Sequence, residues 1–278
     1  MSVVSAFLDR LTQQDAVLVS VHASRGSVPR EVGAWMAVFA DAALGTIGGG
    51  RLELDALAHA RQLLKGGVAQ EGAADADGGG LVRYALGPNL GQCCGGTVTL
   101  QFERVTATDA ATLAARLQGP RMPVALFGGG HVGHALVQVL APLPMNVWWL
   151  DSRDGVFPVQ CPESVQCEHS DPVQAAVPGL PAGTRVVIMS FSHAEDLDIV
   201  AACLMRQRLQ GDLPYVGLIG SQTKWAAFRS RLAARGFTDT ELAHITCPIG
   251  VPGIADKRPE VIAVAVAAQL LQTGVLAV

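Results

Sequence analysis

The segment that most constrains this chain is Gly128-Gly129-Gly130-His131-Val132-Gly133, which follows the apolar run Val124 to Phe127 directly and opens a helical pattern from His131 to Leu140. A G-x-G-x-x-G between a strand and a helix is the turn of a βαβ unit. Gly128 permits the tight turn, Gly130 allows a backbone to approach a phosphate, and Gly133 allows helix and strand to pack closely, with helix amides aimed at an anion. Asp151 ends the next strand, where an acid can accept hydrogen bonds from a ribose. By itself the turn names a phosphate or nucleotide site, or a fold of this type whose crevice is empty, and not a reaction.

From Val124 onward strands and helices alternate. Runs at Val147 to Leu150, Val165 to Cys167, Arg185 to Met189 and Tyr215 to Ile219 are mostly continuous and apolar, as a parallel sheet covered on both faces requires. Right-handed crossovers then predict a Rossmann-like, doubly wound parallel-sheet domain over 119–278. Before it, 1–118 reads as a mixed α+β domain: a helix around Val4 to Leu11, β runs at Ala16 to Ala23 and Ala34 to Ala40, a helix at Leu52 to Leu64, and strands at Val82 to Leu86 and Thr97 to Val105. The fold class is α/β, with Gly119 to Pro123 as the linker.

Glycine is in excess, 31 of 278 residues, and clustered. Gly48-Gly49-Gly50, the stretch Gly91 to Gly96 and Gly128 to Gly130 are candidate sites, whereas Gly78 to Gly80 reads as the end of a surface loop without function. The second cluster holds Cys93 and Cys94. Adjacent Cα atoms lie about 3.8 Å apart, closer than an unstrained disulfide needs, so the two thiols do not simply pair. On a glycine loop between strands they are either two small buried hydrophobes or thiols presented to a ligand as thiolate, soft-metal ligands or persulfide carriers. Cys161, Cys167, Cys203 and Cys247 lack zinc-finger spacing, six cysteines are too sparse for a disulfide scaffold, and core packing is the default for Cys203 and Cys247.

Two further turns fall at the carboxyl edge of the expected sheet. Ser190 to Asp198 places His193 there as a proton carrier, a hydrogen-bond donor or merely a neighbour of a helix cap. Gly220-Ser221-Gln222-Thr223-Lys224 is a second strand-to-helix turn that either takes another anionic group or is an ordinary turn with solvated basic residues. In Trp148-Trp149 one ring is expected inward and the other outward. No Ser-His-Asp order, Walker lysine or H-E-x-x-H is present.

A net charge of −4 and a sequence pI near 5.9 give no electrostatic footprint for nucleic acid or an anionic membrane. Mean hydropathy is +0.33, yet the longest apolar runs, such as Val261 to Ala268, are far below the roughly 20 residues of a membrane span. Asp9 and Arg10 interrupt the N-terminus where a signal peptide is apolar, so a cytoplasmic protein is expected. With only 16% charged residues, part of the surface is expected to be covered, and a homodimer suits that.

Taken together these segments resemble the XdhC family, xanthine dehydrogenase accessory proteins related to CoxI. The resemblance rests on Ser24 to Arg30, Gly45 to Gly50 with Leu52-Glu53, Leu86 to Gly96, Leu126 to Gly133, Ser192-His193 with Asp196 to Ile199, Gly217 to Lys224, and Pro248-Ile249-Gly250. It implies a chaperone rather than an enzyme, one that carries molybdenum cofactor (molybdopterin) without using it. A cysteine desulfurase and the molybdenum cofactor biosynthesis proteins would be partners in loading, and apo-xanthine dehydrogenase the recipient. Cys93 or Cys94 would be the metal-holding group, and Gly128, Gly130, His131, Gly133, Asp151, His193, Gly220, Ser221 and Lys224 would contact the cofactor. The alternative is an NAD(P)-dependent oxidoreductase using Gly128 to Gly133 and Asp151, and a bare interaction module is the residual one.

Overall fold

The computed structural model describes residues 2–66, 80–86 and 96–274. Cys93, Cys94 and the loop that holds them lie outside the described residues. The chain divides into two compact units, Met1–Gly119 and Pro120–Ala277. The sheet of the second unit already includes Met122 and Pro123, so the linker read from the two prolines is shorter than its sequence suggests.

In the first unit five antiparallel strands, β1 (Ala16–Arg25), β2 (Trp35–Val38), β3 (Ala43–Gly45), β4 (Gly80–Ala85) and β5 (Thr97–Val105), form a sheet of order β3-β2-β1-β5-β4. Alternation in β1 divides its side chains between two cores. Val17, Val19 and Val21 meet Leu52, Ala56 and Ala60 of α2 (Gly50–Leu64), while Ala16 and Leu18 meet Phe7 and Leu11 of α1 (Val3–Leu11) and Leu113 of α3 (Ala110–Leu117). Each fully buried Leu or Phe of these sets contributes about 1.5–3 kcal/mol. Gly80, read from sequence as loop, is the first residue of β4 and pairs with Phe102.

The second unit has six parallel strands: β6 (Met122–Phe127), β7 (Met145–Asp151), β8 (Val165–His169), β9 (Arg185–Ile188), β10 (Tyr215–Leu218) and β11 (Ile245–Thr246). Their order is β11-β10-β9-β6-β7-β8, so the chain winds outward from β6 one way, then returns to β9 and winds the other way. This is a doubly wound sheet, and its switch point lies between β6 and β9. The apolar run of β6 serves both faces. Ala125 and Phe127 join one core with α5 (His193–Gln210) and α6 (Gln222–Ala234), and Val124 and Leu126 join the other with α4 (His131–Leu140) and α8 (Pro259–Gln272). Trp149 is fully buried in the second core and Trp148 half-buried against the first, so the two rings point to opposite faces, both against protein.

A short helix, α7 (Asp239–Leu242), precedes β11. Helices do not fill every crossover: β8 reaches β9 through a 3-10 segment, Val173–Gly179, and β7 reaches β8 through an irregular loop. Cys161 of that loop and Cys167 of β8 are joined as a disulfide, a pairing absent from the expectation. Cys203 is buried in α5 and Cys247 half-buried, as packing residues; burial pushes the Cys203 thiol up to about 12.

Candidate functional site

In the first unit three of the sequence motifs converge. Gly48 lies against Pro29 and Arg30, and a side chain at Gly96 would run into the carbonyls of Arg25 and Ser27. The base of the cysteine loop is closed by Leu86 N–H donating to the Gly96 carbonyl at 2.8 Å. The Gly48 to Gly50 turn is not an open anion site. Its anion is internal: Glu53 Oε2 accepts from Thr46 Oγ1 at 2.5 Å and from the Ile47 and Gly49 amides at 3.0 Å. Burial alone raises the Glu53 pKa, but these bonds outweigh it and hold the carboxyl below its ordinary value.

In the second unit the glycines of the G-x-G-x-x-G have distinct reasons. Gly128 has φ +127°, and any side chain there would strike the backbone of Met189 at the end of β9. Gly133 abuts the Gly128 carbonyl, which also accepts the Trp149 indole N–H at 2.9 Å. Gly130 is different. Its φ of −83° suits any residue, and a Cβ there would meet nothing within 4 Å. Neither conformation nor packing among the described residues requires glycine at that position. Behind it, His131 and Val132 begin α4, where helix amides have no intrahelical partner.

Asp151 reaches this turn through the parallel register of β6 and β7. Its carboxylate is buried and accepts from Gly129 N–H at 2.6 Å, Arg153 N–H at 2.8 Å, and Arg153 Nε and Nη2 at 3.0 and 2.9 Å. A carboxylate has about four acceptor sites. Those of Asp151 are spent on holding the glycine turn and Arg153, not turned to a ribose. Burial acts to raise the Asp151 pKa, but the Arg153 side-chain bonds and the two amides win and lower it. A depressed carboxylate contributes stability that is present above the unfolded pKa and is lost as pH falls through the lower, folded one. Resistance to urea is therefore expected to fall as pH drops below the ordinary aspartate range, and Asp151→Asn to flatten that part of the profile; an unchanged profile would refute the coupling.

The turns after β9 and β10 meet in a cavity of about 400 Å³ lined by Ser190, Phe191, His193, Asp196, Ile219, Gly220, Ser221 and Lys224. Ser192 and Ser221 cap α5 and α6, accepting from Glu195 N–H and Lys224 N–H, both at 3.2 Å. Lys224 is not a solvated cation. Its side chain is 11% exposed, and Nζ donates to Asp196 Oδ2 at 2.6 Å and to the Ile219 carbonyl at 2.8 Å. Asp196, 2% exposed, also accepts from Ser190 N–H and Oγ. His193 is the first residue of α5, and its ring meets Phe228 edge-on.

Thus His193, Gly220, Ser221 and Lys224 share one cavity, while Gly128, Gly130, His131, Gly133 and Asp151 share the neighbouring turn. Reasoning from the sequence assigned no role to Arg153, Ser190, Phe191 or Asp196. An arginine two residues past a strand-end aspartate was the available signal for the first. A separate apolar groove of about 540 Å³ runs between α4 and α8 and includes His131, His134 and Val264.

Residues 124–270 match the model of the XdhC Rossmann domain, and residues 10–84 that of the XdhC and CoxI family. The chain belongs to the XdhC family. Its second unit is the XdhC Rossmann domain, and the first carries the XdhC and CoxI pattern. The XdhC chain is 28% identical over 259 residues to the uncharacterized protein YqeB of Escherichia coli K12, covering 90% of its own length but 42% of that relative. The crystal structure of a xanthine dehydrogenase from Bacillus halodurans superposes with a TM-score of 0.76 at 20% identity, covering 98% of this chain and 96% of that one. At that identity the likeness shows the fold alone. Among the described residues, no helix of this XdhC protein is long and apolar enough to cross a membrane.

Proposed function

We propose that this XdhC protein is a molybdenum cofactor chaperone: it holds molybdopterin-type cofactor while a cysteine desulfurase supplies the terminal sulfur, then delivers it to apo-xanthine dehydrogenase in the cytoplasm. The observation that carries the reading is Gly130, a glycine that neither conformation nor packing among the described residues requires, set before the N-terminus of α4. A phosphate seated there would take the His131 and Val132 amides. The cofactor supplies, when bound, a partly soft molybdenum centre, which a thiolate suits; Cys93 or Cys94 is that ligand by the family resemblance.

The role of this chain's own residues is retention rather than turnover. Asp151 and Trp149 hold the turn in shape from behind, the first through the Gly129 amide and the second through the Gly128 carbonyl. A nicotinamide oxidoreductase would use the same turn, but the acid that should take its ribose hydroxyl is filled by protein donors, which weighs against it. Protein purified from a molybdopterin-competent host is expected to carry pterin, read by the fluorescence of its oxidised form, and Cys93→Ala, Cys94→Ala or Gly130→Val to lower that load several-fold. Wild-type protein free of pterin, or a full load in the double cysteine variant, would overturn the holding role.

A further inference from the structure

We propose that the cavity between the β9 and β10 turns is a second oxyanion site, built to take a phosphate group apart from the one at the Gly130 turn. It deepens the chaperone reading, and rests on it only for what larger molecule would bear the phosphate. The acidic group in the cavity, Asp196, is already covered: Oδ1 accepts from Ser190 N–H at 2.9 Å and Ser190 Oγ at 2.8 Å, and Oδ2 from Lys224 Nζ at 2.6 Å. The donors are not exhausted. An ammonium has three N–H groups, and Lys224 spends two, on Asp196 and on the Ile219 carbonyl. Ser221 Oγ accepts the Lys224 amide, and among the described residues its own proton has no acceptor. In α5 and α6, helices of 18 and 13 residues, the Glu195 and Lys224 amides are taken by the Ser192 and Ser221 caps, which leaves the first two amides of each helix without an intrahelical partner.

With the Glu195 carboxylate near it, Arg153 stands at Phe191 as a further cation. Asp151 fixes it by Nε and Nη2, its guanidinium lies 5.0 Å from the centroid of the Phe191 ring, and no acceptor among the described residues engages Nη1. A cavity whose buried carboxylate is mostly engaged and whose lining keeps a lysine N–H and a serine O–H to give favours a group that is acceptor on every side. Phosphate is such a group, and a volume of about 400 Å³ leaves room for an organic remainder beside it. Asp196 is then a positioning residue: it aims Lys224 into the cavity and touches no ligand.

Inorganic phosphate titrated into the full-length, isotope-labelled protein is expected to shift the amide resonances of His193 and of Ser221 to Lys224 saturably. Lys224→Met combined with Asp196→Asn, which leaves no buried charge unpaired, should weaken that response by about tenfold or more while the shifts at Gly130 to Gly133 stay as they were. Ser221→Gly, tolerated at a helix start, removes one donor without disturbing the ion pair and should weaken it several-fold. A phosphate monoester that binds more tightly than the free ion assigns the site to an organic ligand's phosphate; the reverse order assigns it to the free ion. Absence of saturable shifts at these amides, or equal affinity in both variants, would overturn the site. A protein that binds phosphate here yet carries no pterin would sink the cofactor reading and leave this one standing.

Discussion

Gly128→Ala is expected to destabilise the second unit by about 3–5 kcal/mol, whereas Gly130→Ala, two residues away, should change stability by less than about 0.5 kcal/mol. The contrast follows from the two environments. At Gly128 an alanine meets two penalties: φ +127° is a conformation L residues rarely adopt, and the new Cβ is driven into the Met189 backbone. Backbone has no rotamer by which to yield, so β6 and β9 must part at the switch point. At Gly130 the backbone is ordinary and the Cβ enters open space. Against typical domain stabilities of about 5–15 kcal/mol, the first variant should lose a large share of its stability, and the second should be as stable as the parent but impaired in holding ligand. Urea unfolding of both proteins decides the point. A Gly130→Ala protein as unstable as Gly128→Ala would show that Gly130 has a structural reason, and would remove the main support of the carrier reading.

Asp196→Ala should cost about 3–5 kcal/mol because it leaves the Lys224 ammonium buried with no counter-charge and strips Ser190 N–H of its acceptor. Replacing both partners, Asp196→Leu with Lys224→Met, should recover the part of that loss due to the unpaired charge, since an apolar pair removes the desolvation penalty along with the attraction, while Ser190 N–H still lacks its acceptor. A double-mutant cycle on urea midpoints reads the coupling. Strict additivity of the two single changes would mean that the pair is solvated in solution and that Lys224 is not aimed by Asp196.

Five of the six strands of the second unit were legible, most of them as short apolar runs bounded by turn residues that serve two cores and need no alternation; β11, two residues long at the sheet edge, was missed because so short a piece carries no pattern. The glycine turn was legible because strand, turn and helix follow one another without interruption. What Asp151 does was not, because its acceptors are filled through register. Only the pairing of Phe127 with Leu150 brings Gly129 to the end of β7, and only the turn that follows folds Arg153 back. Asp196 was hidden differently. In a helix an acid in the first turn reads as dipole complement on a wet face, and its burial depends on the Ser190 turn closing over it. The pairing of Cys161 with Cys167 gave no spacing signal, since five residues lie between them and no motif requires their union. Gly80 misled through composition, a glycine beside other glycines that nonetheless pairs with Phe102.

Glu53 bears on how a chain with several glycine turns keeps its ligands sorted. A carboxylate tethered four residues from Gly49 is present at the Gly48 to Gly50 turn at an effective concentration far above that of any free phosphate. The amides that Glu53 takes are thereby kept from outside anions, and Gly48 lets Pro29 and Arg30 pack against the turn. The two glycine turns thus differ in which amides the chain's own carboxylate takes, Glu53 those of Ile47 and Gly49 at the first and Asp151 that of Gly129 at the second, a difference invisible in the glycines themselves.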